Sequence, residues 1–413
     1  MENNTLWTRD FTIITIGSVV SMFGNALSGF AMSLMVLDFT ESTMLYAIYL
    51  AAFTVPQMIM PIFSGAILDR FSRKRTIYTL DFISSALYLI AAFVIHNGLF
   101  RFPVFAIYVF IVGSINSVYL VAYQSFYPLL ITPGNYSKAY SISSVLETMS
   151  ALMVPVATFV YNQVGITPLL IINGITFFIA ALMETQIQTQ ENYIEVQKHN
   201  IQTTDTSKQF LADIQEGFRY LKQDKGLLAI AIYFTFSALS YGVGNVLLLP
   251  YYRSTFSNGE YIFMIVVGMS VIGRGLGGMV HYRLRIPKDK KFQIAVFVYL
   301  VTSFIEGSYF YFPIIIGMVL CFMSGILGVT SWTIRVSATQ SYVPDEMKGR
   351  FNGAFNMLNT TGSLMGQLCA GVLSLHLPPR LIVSLVMGIT IIAMFIYIVG
   401  NKKEVSFIYN RNQ

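Results

Sequence analysis

Read along the chain, apolar residues gather into twelve long runs separated by short polar stretches. A helix needs about 20 predominantly apolar residues to cross a bilayer, and the runs have about that length. The first six cover residues 11–37, 44–68, 76–96, 102–127, 139–162 and 167–187, and the second six cover 226–250, 259–282, 292–310, 313–334, 351–376 and 380–400. Residues 188–207 are polar, lack apolar periodicity and read as a linker. After them Phe210, Leu211, Ile214, Phe218 and Leu221 recur at helical spacing. That spacing predicts an amphipathic surface helix and not a thirteenth span. The plan is an all-α integral membrane chain. It has a six-helix bundle (1–187), a linker with its surface helix (188–225), a second six-helix bundle (226–400) and a tail (401–413).

Composition removes the soluble alternatives. Hydrophobic residues make up 55% of the 413 and charged residues 11%, against about 25% charged in soluble domains; mean hydropathy is +0.62. Only Cys321 and Cys369 could form a disulfide, and both lie in apolar runs. Thirty-three Phe and 25 Tyr do not belong to a disordered chain. The net charge of +6 is explained without nucleic acid, because the cations cluster between apolar runs. With the N-terminus placed inside, 22 of the 26 Lys and Arg fall in cytoplasmic segments and three (Arg101, Arg253, Arg380) in outer loops, leaving Arg274 inside a span. That excess predicts cytoplasmic termini. Met1–Asp10 is short and polar and the first apolar run is long, so no cleavable signal is expected.

The two sets of six repeat one another. Gly65 and Arg70 recur as Gly278 and Arg283 at an offset of 213, and Gln124-Ser125-Phe126-Tyr127-Pro128 recurs as Gln340-Ser341-Tyr342-Val343-Pro344 at 216. The most specific local pattern runs from Gly65 through Asp69, Arg70, Arg73 and Lys74 to Arg75. It resembles the G-x-x-x-D-R-x-x-R-[KR] signature of the major facilitator superfamily. With twelve spans and a half repeat, the resemblance covers essentially the whole chain and is nearest the macrolide-efflux-like branch. It is supported by Pro344-Asp345-Glu346-Met347-Lys348-Gly349-Arg350 and by the surface helix around Asp213–Leu221. The resemblance implies two parallel halves around a midplane site, alternating access and a gating role for the signature loop. It places Asp69 against the start of span 11, near Gly349–Phe351, where a carboxylate can accept the orphan N–H groups of a helix start. Arg73, Lys74 and Arg75 can equally serve as a topology signal, and the second copy has Tyr282 in place of the acid.

A charge near the bilayer centre costs about 2.5–3.5 kcal/mol on insertion scales. Glu147 and Arg274 lie at similar depth, about 12 Å from the cytoplasmic side at 1.5 Å per residue, on spans that the resemblance makes neighbours. An interdomain Glu147–Arg274 pair is therefore expected, either as a switch remade during transport or as a static pair. Glu147 is the first candidate for proton coupling, with Asp38, Asp81 and Glu306 behind it. Asp81 is expected to pair with the basic loop, and Glu184 reads as interfacial. Span 4 has no Arg, span 5 keeps only Pro155 of the drug-antiporter pattern, and span 1 has Asn25 where some relatives carry an acid. Proton coupling thus enters through the resemblance alone. Gly273-x-Gly275-x-x-Gly278 follows no strand and reads as close helix packing rather than a dinucleotide loop. The four His are scattered, and no phosphate loop is present. No metal, no cofactor and no enzyme activity are expected.

Candidates for a substrate cavity are Asn25, Asn116, Tyr119, Tyr123, Met149, Phe236, Tyr241, Asn245, Trp332, Asn356 and Asn359. Aromatic rings, amides and a pliable Met suit amphipathic molecules better than sugars or phosphate esters. The reading is a secondary transporter of the bacterial inner membrane, a monomer that exports amphipathic drugs or metabolites in exchange for protons. The alternatives are the same machine moving a lipid or taking up a nutrient, an ion channel, and a membrane enzyme.

Overall fold

The computed structural model describes residues 5–133, 135–151, 153–189, 191, 206–283 and 286–410. All regular structure among them is helical. The helices are α1 (Arg9–Thr40), α2 (Thr43–Arg70), α3 (Arg73–His96), α4 (Phe102–Phe126), α5 (Tyr136–Ala151), α6 (Met153–Val164) and α7 (Ile166–Glu184). They continue as α8 (Thr206–Gln223), α9 (Lys225–Thr255), α10 (Gly259–Arg283), α11 (Lys291–Ser308), α12 (Ile314–Tyr342), α13 (Asp345–Leu373), α14 (Pro379–Ala393) and α15 (Lys402–Tyr409).

The starts of these helices follow local chemistry. Thr8 Oγ1 accepts the Phe11 N–H at 3.2 Å, and Asp224 accepts those of Gly226 and Leu227, both at 2.9 Å. Each cap satisfies backbone donors that a helix start leaves orphaned. Pro313, Pro344 and Pro378 stand just before α12, α13 and α14.

Two compact units emerge, one of residues 1–42 and 52–210, the other of 43–51 and 211–413. In the first, α7 packs on both α1 and α3. Gly24 lies so close to Asn173 and Thr176 that any side chain there would collide with theirs. In the second, α9 packs on α13 through Gly242, Gly362 and Gly366, each set against a carbonyl of the facing helix. Small residues let membrane helices approach this closely. Gly273 and Gly277 do the same between α10 and α12, so their glycine pattern serves packing.

Ten helices among the described residues are long and apolar enough to span a membrane. The fifth run is described as α5 and α6, and α13 begins in the polar Asp345–Arg350 stretch. The tenth run does not stop at 334, because α12 continues to Tyr342; Arg335 is a helix residue and not part of a loop. The tail folds back as α15, burying Val405, Ile408 and Tyr409 in the core of the second unit. The amphipathic α8 lies against the start of α13. Arg350 Nη1 reaches Glu216 Oε1 at 3.0 Å, Gly217 admits the Arg350 carbonyl, and Leu221 enters the core.

Candidate functional site

In the first unit, polar side chains from four helices meet in one dry place. Asp81 stands eight residues into α3, about 12 Å from its start, and is 1% exposed; Glu184 ends α7 and is 0% exposed. A helical side chain leans toward the N-terminus of its helix, which carries the Glu184 carboxyl back into the bundle. There its Oε1 passes Gly17 of α1, where a Cβ would stand 3.5 Å away. The two acids are neighbours where α3 packs on α7. None of their four oxygens has a hydrogen-bond donor among the described residues. Tyr119 of α4 lies in the electrostatic reach of both carboxyls and beside Ser18. The Tyr119 hydroxyl, Ser18 Oγ and Thr15 Oγ1 are likewise buried without a hydrogen-bond partner of normal geometry among the described residues. Asp81 therefore faces Glu184 and not the basic loop, and Glu184 is buried and not interfacial. Like charge in front, and no cation behind, is the unusual feature here.

The basic loop is spent elsewhere. Arg73 Nη1 donates to the Ser125 carbonyl at 3.0 Å, and Lys74 Nζ to the Ile187 carbonyl at 2.9 Å. Glu191 accepts the backbone N–H of Arg73 at 2.8 Å and the hydroxyl of Ser72. Asp10 accepts the N–H groups of Gln188 and Thr189 at 3.1 and 2.7 Å. The segment after Glu184 is thus tied to the starts of α1 and α3. The side chains of Gly65, Asp69, Arg70 and Glu147 lie outside the described residues.

Further along α1, Asn25 belongs to a network inside the same unit. Its Oδ1 accepts from Asn173 Nδ2 at 3.3 Å and from the Tyr88 hydroxyl at 3.5 Å, while Asn173 Nδ2 also reaches Ser28 Oγ at 2.7 Å. Tyr119 stacks on Tyr123 at 6.1 Å, and Tyr123 on Tyr127 at 5.3 Å. Asn116 is half-buried and Met149 exposed. Asp38 accepts from the Tyr161 hydroxyl at the far end of α1.

The second unit treats its charges differently. The Arg335 guanidinium lies 5.0 Å from the Phe234 ring centre and 4.7 Å from that of Phe355. The Tyr299 and Tyr409 hydroxyls nearby bond each other at 2.9 Å. Glu306 accepts from Ser324 Oγ at 2.7 Å and feels the charge of Arg274. Tyr241 and Asn245, one turn apart on α9, are both exposed, as are Trp332 of α12 and Asn356 of α13; Asn359 is half-buried. Phe236 stacks on Tyr397 at 6.4 Å. No group of three His, Cys, Asp or Glu suited to a metal occurs among the described residues.

Residues 14–367 match the Major Facilitator Superfamily. The chain belongs to this superfamily. Macrolide efflux protein A of Streptococcus pyogenes is 23% identical over 401 residues, covering 93% of this chain and 90% of that protein. An uncharacterized MFS-type transporter, YkuC of Bacillus subtilis (strain 168), is 20% identical over 361 residues, covering 84% and 81%. Among solved structures, a bacterial homologue of the iron transporter ferroportin in an inward-facing state gives a TM-score of 0.71 at 13% identity, covering 98% of this chain and 99% of that one. The nucleoside transporter NupG gives 0.68 at 15%, covering 94% and 98%. As a superfamily member the chain is a multi-pass membrane transporter for small molecules.

Glu184, Arg335 and Tyr409 were not among the residues that the sequence singled out for a site. Glu184 closed an apolar run and so read as an edge residue. Arg335 fell one position beyond its run. Tyr409 does carry a signal, since Val405, Ile408 and Tyr409 recur at helical spacing.

Proposed function

We propose that the chain is a proton-driven exporter of amphipathic small molecules in the bacterial cytoplasmic membrane. It works as a monomer by alternating access, with twelve spans and cytoplasmic termini. The observation that carries this reading is the likeness to a macrolide efflux protein over nine-tenths of both chains. The surface chemistry supports it: the exposed Tyr241, Asn245, Trp332 and Asn356 offer rings and amides without fixed charge, a lining that takes up lipophilic bodies with scattered polar groups. Substrate-site roles for Asn25, Asn116, Tyr119, Tyr123, Met149, Phe236 and Asn359, gating by the signature loop, and an interdomain Glu147–Arg274 pair belong to the same proposal.

The test is efflux of a fluorescent lipophilic dye from energised cells, with a protonophore added midway and an empty vector as reference. Efflux above vector that stops on protonophore addition is the expected result. Efflux that continues on a sodium gradient moves the coupling to another ion. No efflux above vector across a chemically mixed panel that includes a macrolide sinks the export reading in favour of a lipid or nutrient cargo.

A further inference from the structure

We propose that Asp81 and Glu184 hold a single proton between them, making the interior of the first unit a buried proton-binding site. Two carboxylates that are 1% and 0% exposed, with no cation beside them among the described residues, are disfavoured from both staying charged. Paired acids in such a setting share one proton, and the O–H···O⁻ bond it makes turns a repulsive contact into an attractive one.

The surroundings agree from each side. From α1 comes the Ser18 hydroxyl, 5% exposed and beside Tyr119. From α4 come Tyr119 and, stacked on it, Tyr123. The nearest cations on α3, Arg73 and Lys74, donate to the carbonyls of Ser125 and Ile187, and Asp10 of α1 is occupied by Gln188 and Thr189. Nothing basic among the described residues faces the two acids, so the missing positive charge is a proton or a metal cation. A shared metal ion would stand between the carboxyls at about 2.0–2.6 Å from each oxygen. Among the described residues no third His, Cys, Asp or Glu joins the two acids, and a metal ion takes more ligands than two carboxyls supply, which favours the proton.

The site has a mechanical consequence, which rests on the reading of the chain as a proton-driven exporter. With the proton in place, one hydrogen bond joins α3 to α7. Without it, the two carboxylates repel, and the hydroxyls of Ser18 and Tyr119 become the donors at hand. Loss of the proton therefore loosens α7 from α3 and tightens the acids toward α1 and α4, giving two packings that a proton gradient can bias. The ties from Lys74 and Asp10 to the segment after Glu184 set how easily water reaches the pair.

The experiment is infrared spectroscopy on the purified chain in detergent at neutral pH, in H2O and D2O, for wild type, Asp81→Asn and Glu184→Gln. Wild type should show a protonated-carboxyl stretch that shifts in D2O. Both variants should lose it, because the amide N–H donates to the remaining carboxylate and no proton is needed. A wild type without the band, or a band that survives in both variants, overturns the site. So does thermal stabilisation by sodium or calcium in wild type alone, which would make the pair a cation site. Should a variant fail to fold, the wild-type band and its indifference to sodium and calcium still decide. The readout needs no cargo: a band lost in both variants beside dye efflux indifferent to protonophore keeps the site and removes the proton-driven reading.

Discussion

Tyr119 stands five residues before Gln124-Ser125 in the first unit, and Arg335 stands five residues before Gln340-Ser341 in the second. The repeat places a phenol and a guanidinium at the same point of two copies of one scaffold. Around Tyr119 are hydroxyls and two carboxyls without donors. Around Arg335 are the faces of Phe234 and Phe355 and a tyrosine pair. A guanidinium is weakly hydrated and planar, so aromatic faces can replace much of its water. A carboxylate has no such option and needs a donor, a cation or a proton. The second unit supplies Glu306 with both Ser324 and the charge of Arg274, whereas the first supplies Asp81 and Glu184 with neither. The buried charge in the second unit has fixed neighbours, and in the first the proposed proton takes their place.

The largest effect expected from this difference concerns the tail. Deleting residues 402–413 removes Val405, Ile408 and Tyr409, each at most 1% exposed, together with the hydroxyl partner of Tyr299. At about 1.5–3 kcal/mol per large apolar side chain, the second unit should lose roughly 4.5–9 kcal/mol. Hydrogen exchange should show protection falling across α9–α14 while α1, α3 and α7 keep theirs. An equal fall in both units would break the comparison, since it would mean that the tail supports the molecule as a whole.

A smaller effect is expected at Arg335. Arg335→Lys keeps the charge and loses the flat face that lies between two rings, so stability should drop by about 1–2 kcal/mol. Arg335→Met should fall within about 1 kcal/mol of wild type, because it removes the desolvation cost together with the contacts. Thermal unfolding in detergent ranks the three. Lysine as stable as arginine would show that the rings are bystanders.

Most of the helical frame is legible in the chain. Apolar runs mark long helices because a bilayer demands them, and the starts of α3 and α9 are announced by Ser72 and Asp224, which cap them. The ends are less legible. The tenth run turns polar after Ile334, yet α12 continues for two more turns, since a helix buried in protein does not need apolar residues. The charged sites are hardest to read. Asp81 and Glu184 are 103 positions apart, and nothing local states that α3 and α7 lie side by side. Glu306 and Arg274 are likewise joined only by the packing of the second unit. Spacing along one helix can be counted, but neighbours across helices come from tertiary packing.

The smallest effect sharpens the contrast between the carboxyls. Glu306→Gln keeps an oxygen for the Ser324 hydroxyl and exchanges a charge-assisted hydrogen bond for a neutral one. Charged partners raise a hydrogen bond from about 1 to roughly 1.5–3 kcal/mol, and the change also releases Arg274 from an anion. These losses are offset by the easier burial of an amide, so net stability should move by no more than about 1 kcal/mol. The protonated-carboxyl band assigned to the first unit should be untouched, because Glu306 accepts from Ser324 and lies in the other unit. If Glu306→Gln removes that band while Asp81→Asn leaves it, the proton resides in the second unit. The two halves would then have exchanged roles: the carboxyl with partners would be the one that titrates, and burial without donors would be a cost that the first unit carries for some purpose other than proton binding.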